Sequence, residues 1–135
     1  MTHRIVSLLV GLSLLALVEP GGAHHSFPAV YDTEIRVTLE GVVEEVWYEN
    51  PHARVYMAVP GDDGIDVTWE LEASGATQLR RQGWRYSSIE VGDRIIIEGS
   101  PAREHANRAY IRMLMLEDGT VFWAADPAAL REDPP

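Results

Sequence analysis

The sequence predicts a small, mainly β barrel of five to six strands with one short helix between strands three and four. Three observations predict it. First, Leu39 to Val59 reads as two strands joined through Glu49-Asn50-Pro51-His52. In the first of them, apolar residues alternate at Val37, Leu39 and Val43 and then change parity to Val46 and Tyr48. Strand side chains alternate with period two, so the parity change predicts a bulge or bend, with Gly41 there to allow it. Second, one long strand serving both ends of a sheet is what a small closed barrel needs. Third, the element order is three strands, a helix, two strands and a short extra strand. That order matches the five-stranded Greek-key OB barrel. A two-sheet sandwich is the alternative, and the helix position argues against it.

The elements follow in order. Phe27, Val30 and Tyr31 are placed to anchor an N-terminal arm, and Asp32-Thr33 to turn it into strand one, Arg36 to Tyr48. Strand two covers Arg54 to Val59, and Pro60-Gly61-Asp62-Asp63-Gly64 forms a polar turn too short for an EF-hand calcium loop. Strand three, Asp66 to Ala73, puts Val67, Trp69 and Leu71 on one face and Thr68, Glu70 and Glu72 on the other, where solvation accounts for the carboxylates. A short helix follows, with Ser74 as N-cap and Arg80-Arg81 at its negative end. Gly83 supplies the left-handed residue after it, with Trp84 packing back on Leu79 in a Schellman ending. Strand four, Arg94 to Gly99, carries Ile95-Ile96-Ile97, which predicts burial on both sides. Strand five, Ala109 to Leu116, sets Ile111, Met113 and Met115 on one face, and a last strand spans Val121 to Ala124.

The chain of 135 residues fits one domain. Residues 1–23 read as a removable export signal: Arg4, the apolar run Ile5 to Val18, and the small-residue site Gly21-Gly22-Ala23. The run is too short to span a bilayer comfortably, so no stable membrane anchor is expected after cleavage and the location is periplasmic or secreted. The barrel domain is expected over 24–125 and a frayed acidic tail over 126–135. Cysteine is absent, which excludes disulfides, thiolate metal sites and lipoprotein acylation. The formal net charge is −10, and the signal removes one residue of each sign. A phosphate-binding surface calls for a basic excess, so nucleic acid is not expected as a partner. Without cysteine, a G-x-S-x-G elbow or a glycine-rich phosphate loop, nucleophilic and phosphoryl-transfer chemistry find no support.

The histidines carry the sharpest chemical expectation. Of five, His3 leaves with the signal, and cleavage after Ala23 makes His24 the first residue. Its free amine and imidazole together can chelate a metal, and a further imidazole completes a three-nitrogen set that favours Cu(II). His25 offers a second mode through the amine and the intervening amide. His52 is the expected partner imidazole because its turn is rigid, while His105 sits in a polar segment with weaker claims. The opposing reading gives His52 a turn-holding role and the N-terminal pair no specific ligand. A second surface is offered by the aromatic residues Trp47, Tyr48, Tyr56 and Trp69, on strands that bind ligands in many OB barrels. Alternation also allows Trp47 and Trp69 to be core.

Several segments together resemble one family: Ala23-His24-His25-Ser26-Phe27, Tyr31-Asp32, Leu39-Glu40-Gly41-Val42-Val43, Asn50-Pro51-His52, Leu79-Arg80-Arg81-Gln82-Gly83-Trp84 and Gly92-Asp93. They are similar to a family of small exported bacterial proteins of unknown function, over roughly His24 to Ala124. Gln82 is a small departure, since the common pattern often has Gly-Trp directly after Arg-Arg. The resemblance implies a periplasmic OB-like barrel and supplies no activity. The expectation is therefore a periplasmic, non-enzymatic binding module for copper, with His24, His25 and His52 as ligands. The alternative is an accessory domain docking on a periplasmic protein through Trp47, Tyr48, Asn50 and Pro51. A copper oxidase is the third class.

Overall fold

The computed structural model describes residues 27–124. The expected signal segment, His24, His25 and the acidic tail lie outside them. The elements are α1 (Phe27–Val30), β1 (Val37–Trp47), β2 (His52–Pro60), β3 (Asp66–Ser74), α2 (Ala76–Arg81), β4 (Arg94–Pro101), β5 (Arg108–Leu116) and β6 (Val121–Trp123).

The long first strand works as its sequence pattern requires. Its N-terminal half, Val37 to Val42, pairs antiparallel with β4, and its C-terminal half, Val42 to Trp47, pairs with β2. The register shifts between Val43 and Glu45, which is the expected change of parity. Gly41 lies beside this bulge rather than in it. A Cβ there would press into the carbonyl of Ala58 and come 2.8 Å from Met57 Cγ, so glycine is needed for close approach of β1 and β2. β2 pairs with β3, β4 with β5, and a parallel β3–β5 pairing through Glu70–Arg108 and Glu72–Tyr110 closes the cylinder. β6 extends β5 outside the closed ring. This is the OB-type five-stranded barrel with one added strand.

The interior is filled by Val43, Val55, Met57, Leu71, Ile95, Ile97, Ile111 and Leu114, with Leu79 and Trp84 closing one end. Ile96 is only half-buried, so β4 has one fully buried face rather than two. β5 differs more. The ladder places Glu98 opposite Met113 and Gly99 opposite Ile111, so Arg112 is the extra residue of a bulge. Parity changes there, and the core residues become Ile111 and Leu114, while Met113 and Met115 are half-buried. Arg112 itself is buried, and its Nε donates to Ser100 Oγ at 2.9 Å.

The helix ends as predicted. Gly83 has φ of +95°, its N–H donates to Arg80, and the Trp84 N–H reaches the Leu79 carbonyl at 3.0 Å. The start differs. Gly75 is the N-cap, and Ser74 is still strand, its hydroxyl 2.8 Å from the Tyr110 hydroxyl and donating to the Ala124 carbonyl.

Candidate functional site

The segment between β1 and β2 is fixed by the start of the helix that follows β3, whose last residue, Ser74, pairs with His52. Asn50 takes over the capping that Ser74 does not supply: its Oδ1 accepts from the Thr77 N–H and its Nδ2 donates to Thr77 Oγ1, both at 3.2 Å. The Ala76 N–H adds a bond to the Glu49 carbonyl. Gly75 permits this contact, because a Cβ would sit 2.5 Å from the Pro51 carbonyl oxygen. The turn is thus clamped to α2, and His52 leaves it as the first residue of β2.

Pairing geometry then decides what His52 meets. It lies opposite Ser74, so its diagonal neighbour on the same face of β3 is Glu72. His52 Nδ1 is 2.9 Å from Glu72 Oε1. The other carboxylate oxygen accepts from the Tyr31 hydroxyl at 2.9 Å and from Arg108 Nη2 at 2.6 Å. Arg108 comes from β5, brought alongside by the parallel closure, and its Nε is 3.5 Å from Glu70 without a hydrogen bond. Arg54 also reaches Glu70, at 3.5 Å, and Glu49 at 3.6 Å.

Glu72 corrects the sequence reading of a solvated strand carboxylate. It retains only 7% of its exposure, because the N-terminal arm packs over the outer face of β3 and β5. The arm is held by its own backbone: Tyr31 bridges to Ala102, the Asp32 N–H donates to the Pro101 carbonyl, and the Arg103 N–H to that of Val30. Arg103 adds side-chain bonds to the Pro28 carbonyl and Asp32, each at 2.9 Å. Phe27 stands edge-on to Tyr110 at 4.8 Å and lies 5.2 Å from the Tyr31 ring. Anchoring by Phe27 and Tyr31 is as the sequence predicts.

Between arm and barrel lies a pocket of about 610 Å³, lined by Phe27, Ala29, Val30, Tyr31, His52, Glu72, Glu104, His105 and Arg108. It sits where the β1–β2 and β4–β5 connections meet, a common ligand position in this fold. His52 and His105, far apart in sequence, therefore line one space. With Nδ1 facing a carboxylate, a neutral His52 carries its proton there and keeps the Nε2 lone pair for a ligand. Among the described residues no group of three or more His, Cys, Asp or Glu is close enough to hold a metal.

The expected docking residues are dispersed. Trp47 is 40% exposed on the barrel exterior, with Tyr56 packed edge-on at 5.6 Å, Arg54 over its ring and its indole donating to Glu45. Tyr48 turns inward against the core, its hydroxyl donating to the Trp84 carbonyl at 3.4 Å, and Trp69 is likewise core-packed. Asn50 caps α2, and Pro51 is exposed in the turn. Sequence reasoning passed over Tyr31, Glu72 and Arg108 as site residues and gave His105 little weight. The signal available for Glu72 was its place two residues from His52's partner, which needed the β2–β3 register.

Tyr31 is pushed well above the ordinary phenol value of 10.0, first by burial, then by the neighbouring Glu72 charge and the bond to it. Tyr110 is raised as well, chiefly by burial. A phenol with a raised folded pKa stabilises the fold while neutral. That contribution is complete below the unfolded value near 10 and is lost as pH climbs through the folded value. Urea unfolding is therefore expected to become easier above about pH 10, and Tyr31→Phe to flatten the loss. Stability that stays level through that alkaline range in the unsubstituted protein would contradict this.

Comparisons with known proteins add a family. No curated protein matches the chain. Two crystal structures of the mitochondrial single-stranded DNA-binding protein of S. cerevisiae are similar in fold. The first has a TM-score of 0.46 and 14% identity, covering 62% of this chain and 93% of that one. The second, selenomethionine-labelled, has the same score and identity over 61% and 92%. These structures correct the expectation that nucleic acid is excluded as a partner. Both are single-stranded DNA-binding proteins, and that binding is theirs. Residues 12–110 match a family of unknown function, DUF6152, and the chain belongs to that family.

Proposed function

We propose that the protein is an exported, non-enzymatic binding module that holds a copper(II) ion at the pocket beneath its N-terminal arm. The observation that carries this reading is the His52–Glu72 pair on the pocket wall, 2.9 Å apart. A carboxylate on the far nitrogen is the usual support of a metal-bound imidazole: it fixes the ring and raises its basicity as a ligand. The remaining nitrogens come from His24, with His25 as the second mode. His24 precedes the pocket residue Phe27 by three positions, and three extended residues reach about 10 Å. The described residues alone do not supply a full set, so the ligands from the mature N-terminus are essential to the proposal. Imidazole and amine donors without thiolate select Cu(II) among the divalent first-row ions.

The test is a copper titration of the protein processed to begin at His24, followed by calorimetry and electron paramagnetic resonance, beside His52→Ala. One copper per chain with nitrogen hyperfine structure is expected, with affinity falling at least tenfold in the variant, as removal of a ligand or its support does. Binding that ignores His52 would overturn the reading. It would favour a second one, docking of a protein partner in the periplasm, for which the exposed Trp47 ring beside Tyr56 and Arg54 speaks.

A further inference from the structure

Independently of any metal, we propose that the open edge of β1 at Val46 takes up an extended segment of a partner protein, an apolar side chain flanked by lysine or arginine. β1 pairs with β4 along residues 37–42 and with β2 along residues 42–47, so its last residues have a strand on one side only. Ladder parity shows which backbone groups this leaves over. Val43 stands opposite Met57 on β2, yet its N–H donates to the Asp93 carbonyl and its own carbonyl accepts from the Gly92 N–H. It therefore faces away from β2. Pairs alternate in kind along an antiparallel ladder, so Val55, two residues before Met57, makes the same kind of pair. Its partner is Val46, the bulge between Val43 and Glu45 having restored the match. Val46 thus points its N–H and carbonyl away from β2 as well, and no strand of the described residues meets them. The chain enters β4 only after the turn at residues 90–93, so β4 stops short of Val46. There the Asp93 N–H donates to the Glu90 carbonyl at 3.1 Å, and Asp93 Oδ2 accepts from the Glu90 N–H at 2.8 Å.

The vacant edge opens onto a groove of about 320 Å³ lined by Val46, Tyr86, Ser87, Ile89, Glu90 and Val91. Its walls are apolar and uncovered: Val91 is 68% exposed and Tyr86 80%, with the Tyr86 ring edge-on to Tyr48 at 6.1 Å. Ile89 is buried and carries the apolar floor toward the barrel end that Leu79 and Trp84 close. An unpaired strand edge beside such a groove suits an extended peptide: main-chain bonds fix its register, and the groove selects a side chain. Charge then selects the occupant. Glu90 is the one charged residue of the groove lining, and Glu44 and Glu45, just before Val46, are exposed. A second copy of this chain, with a formal charge of −10, would set the same carboxylates against one another, whereas a basic segment answers them.

The probe is a short capped peptide in which valine alternates with lysine, added to the metal-free chain processed to begin at His24. Two quantities are read: peptide affinity by calorimetry, and hydrogen exchange of the Val46 amide. In the free protein this amide should exchange faster than those of Glu45 and Trp47, which face β2. With the peptide at about ten times its dissociation constant, Val46 exchange should slow about tenfold, since only the unoccupied fraction exchanges. Tyr86→Ala and Val91→Ser, both at exposed positions outside the core, should each weaken binding about tenfold, as loss of an apolar anchor does. Affinity should also fall with added salt and with Glu90→Arg, and the same peptide with glutamate in place of lysine should not bind. Binding that leaves Val46 exchange unchanged and ignores both groove variants would be attraction of a cation to an acidic surface, and would overturn the proposal. Absence of binding would overturn it as well. Self-association of the chain that Val91→Ser abolishes would do the same, by making a second copy the occupant. None of these results bears on copper at His52, which lines a different pocket.

Discussion

Replacing Glu72 with alanine is expected to lower the folding stability by about 3 kcal/mol, the low end of the cost of stripping one partner from a buried ion pair. The carboxylate answers three groups at once: Arg108 at 2.6 Å, the Tyr31 hydroxyl at 2.9 Å and His52 at 2.9 Å. Without it, the buried Tyr31 hydroxyl loses its acceptor, and an unsatisfied buried donor alone costs about 1–3 kcal/mol. Arg108 would keep only Glu70, at 3.5 Å and without a hydrogen bond to its buried Nε. The estimate stays at the low end because the Arg108 side chain is still 25% exposed and can recruit water. Urea unfolding followed by tryptophan fluorescence measures the loss. Glu72→Met combined with Arg108→Met should recover much of it, since the remaining charge is then no longer stranded. A loss below about 1 kcal/mol, the range of exposed pairs, would mean that the network is solvated and the arm does not cover it.

An effect of similar size, from a different cause, is expected at Gly41. Gly41→Ala adds one carbon, directed at the Ala58 carbonyl, 2.8 Å from Met57 Cγ and 3.0 Å from the Ala58 carbonyl carbon. The first and last of these are backbone atoms of the paired strand, so no side-chain rotation relieves the contact. Relief requires β1 and β2 to part beside Val42, the residue at which β1 passes from pairing with β4 to pairing with β2. Overpacking in a tight interior costs about 1–3 kcal/mol, and a clash with backbone belongs at the top of that range. The expected outcome is a loss of about 3 kcal/mol or failure to accumulate as folded protein, read by thermal unfolding. A melting temperature equal to that of the unsubstituted chain would show that the strands do not approach so closely.

What the sequence by itself determined is what local rules govern. Apolar patterning located every barrel strand, period-two alternation for most of them and the continuous run Ile95-Ile96-Ile97 for β4, because one face of each must be apolar for the barrel to close. The parity change after Val43 announced the bulge, and Leu79 to Trp84 spelled out the helix ending, since both depend on neighbours within a few residues. The anchoring of the arm by Phe27 and Tyr31 was legible for the same reason: aromatic residues in a short arm need an apolar seat.

Only the tertiary structure decided the site. Alternation says which face of β3 bears Glu72, but not that the arm covers that face, so a carboxylate that looks solvated is buried. The bulge at Arg112 was illegible because Met113 and Met115 continue the apolar period from Ile111 without a break, and the register against β4 alone reveals the extra residue. Ser74 looked like a cap, yet Asn50 fulfils that role from a different loop, a contact no local pattern encodes. The pocket itself depends on closure of the barrel. His52 and Glu72 meet through β2–β3 register, Arg108 arrives through the parallel β3–β5 pairing, and His105 comes with the loop before β5. Each of these encounters joins residues distant in the chain, and the physical reason they occur is that a five-stranded sheet must close on itself to bury its apolar face.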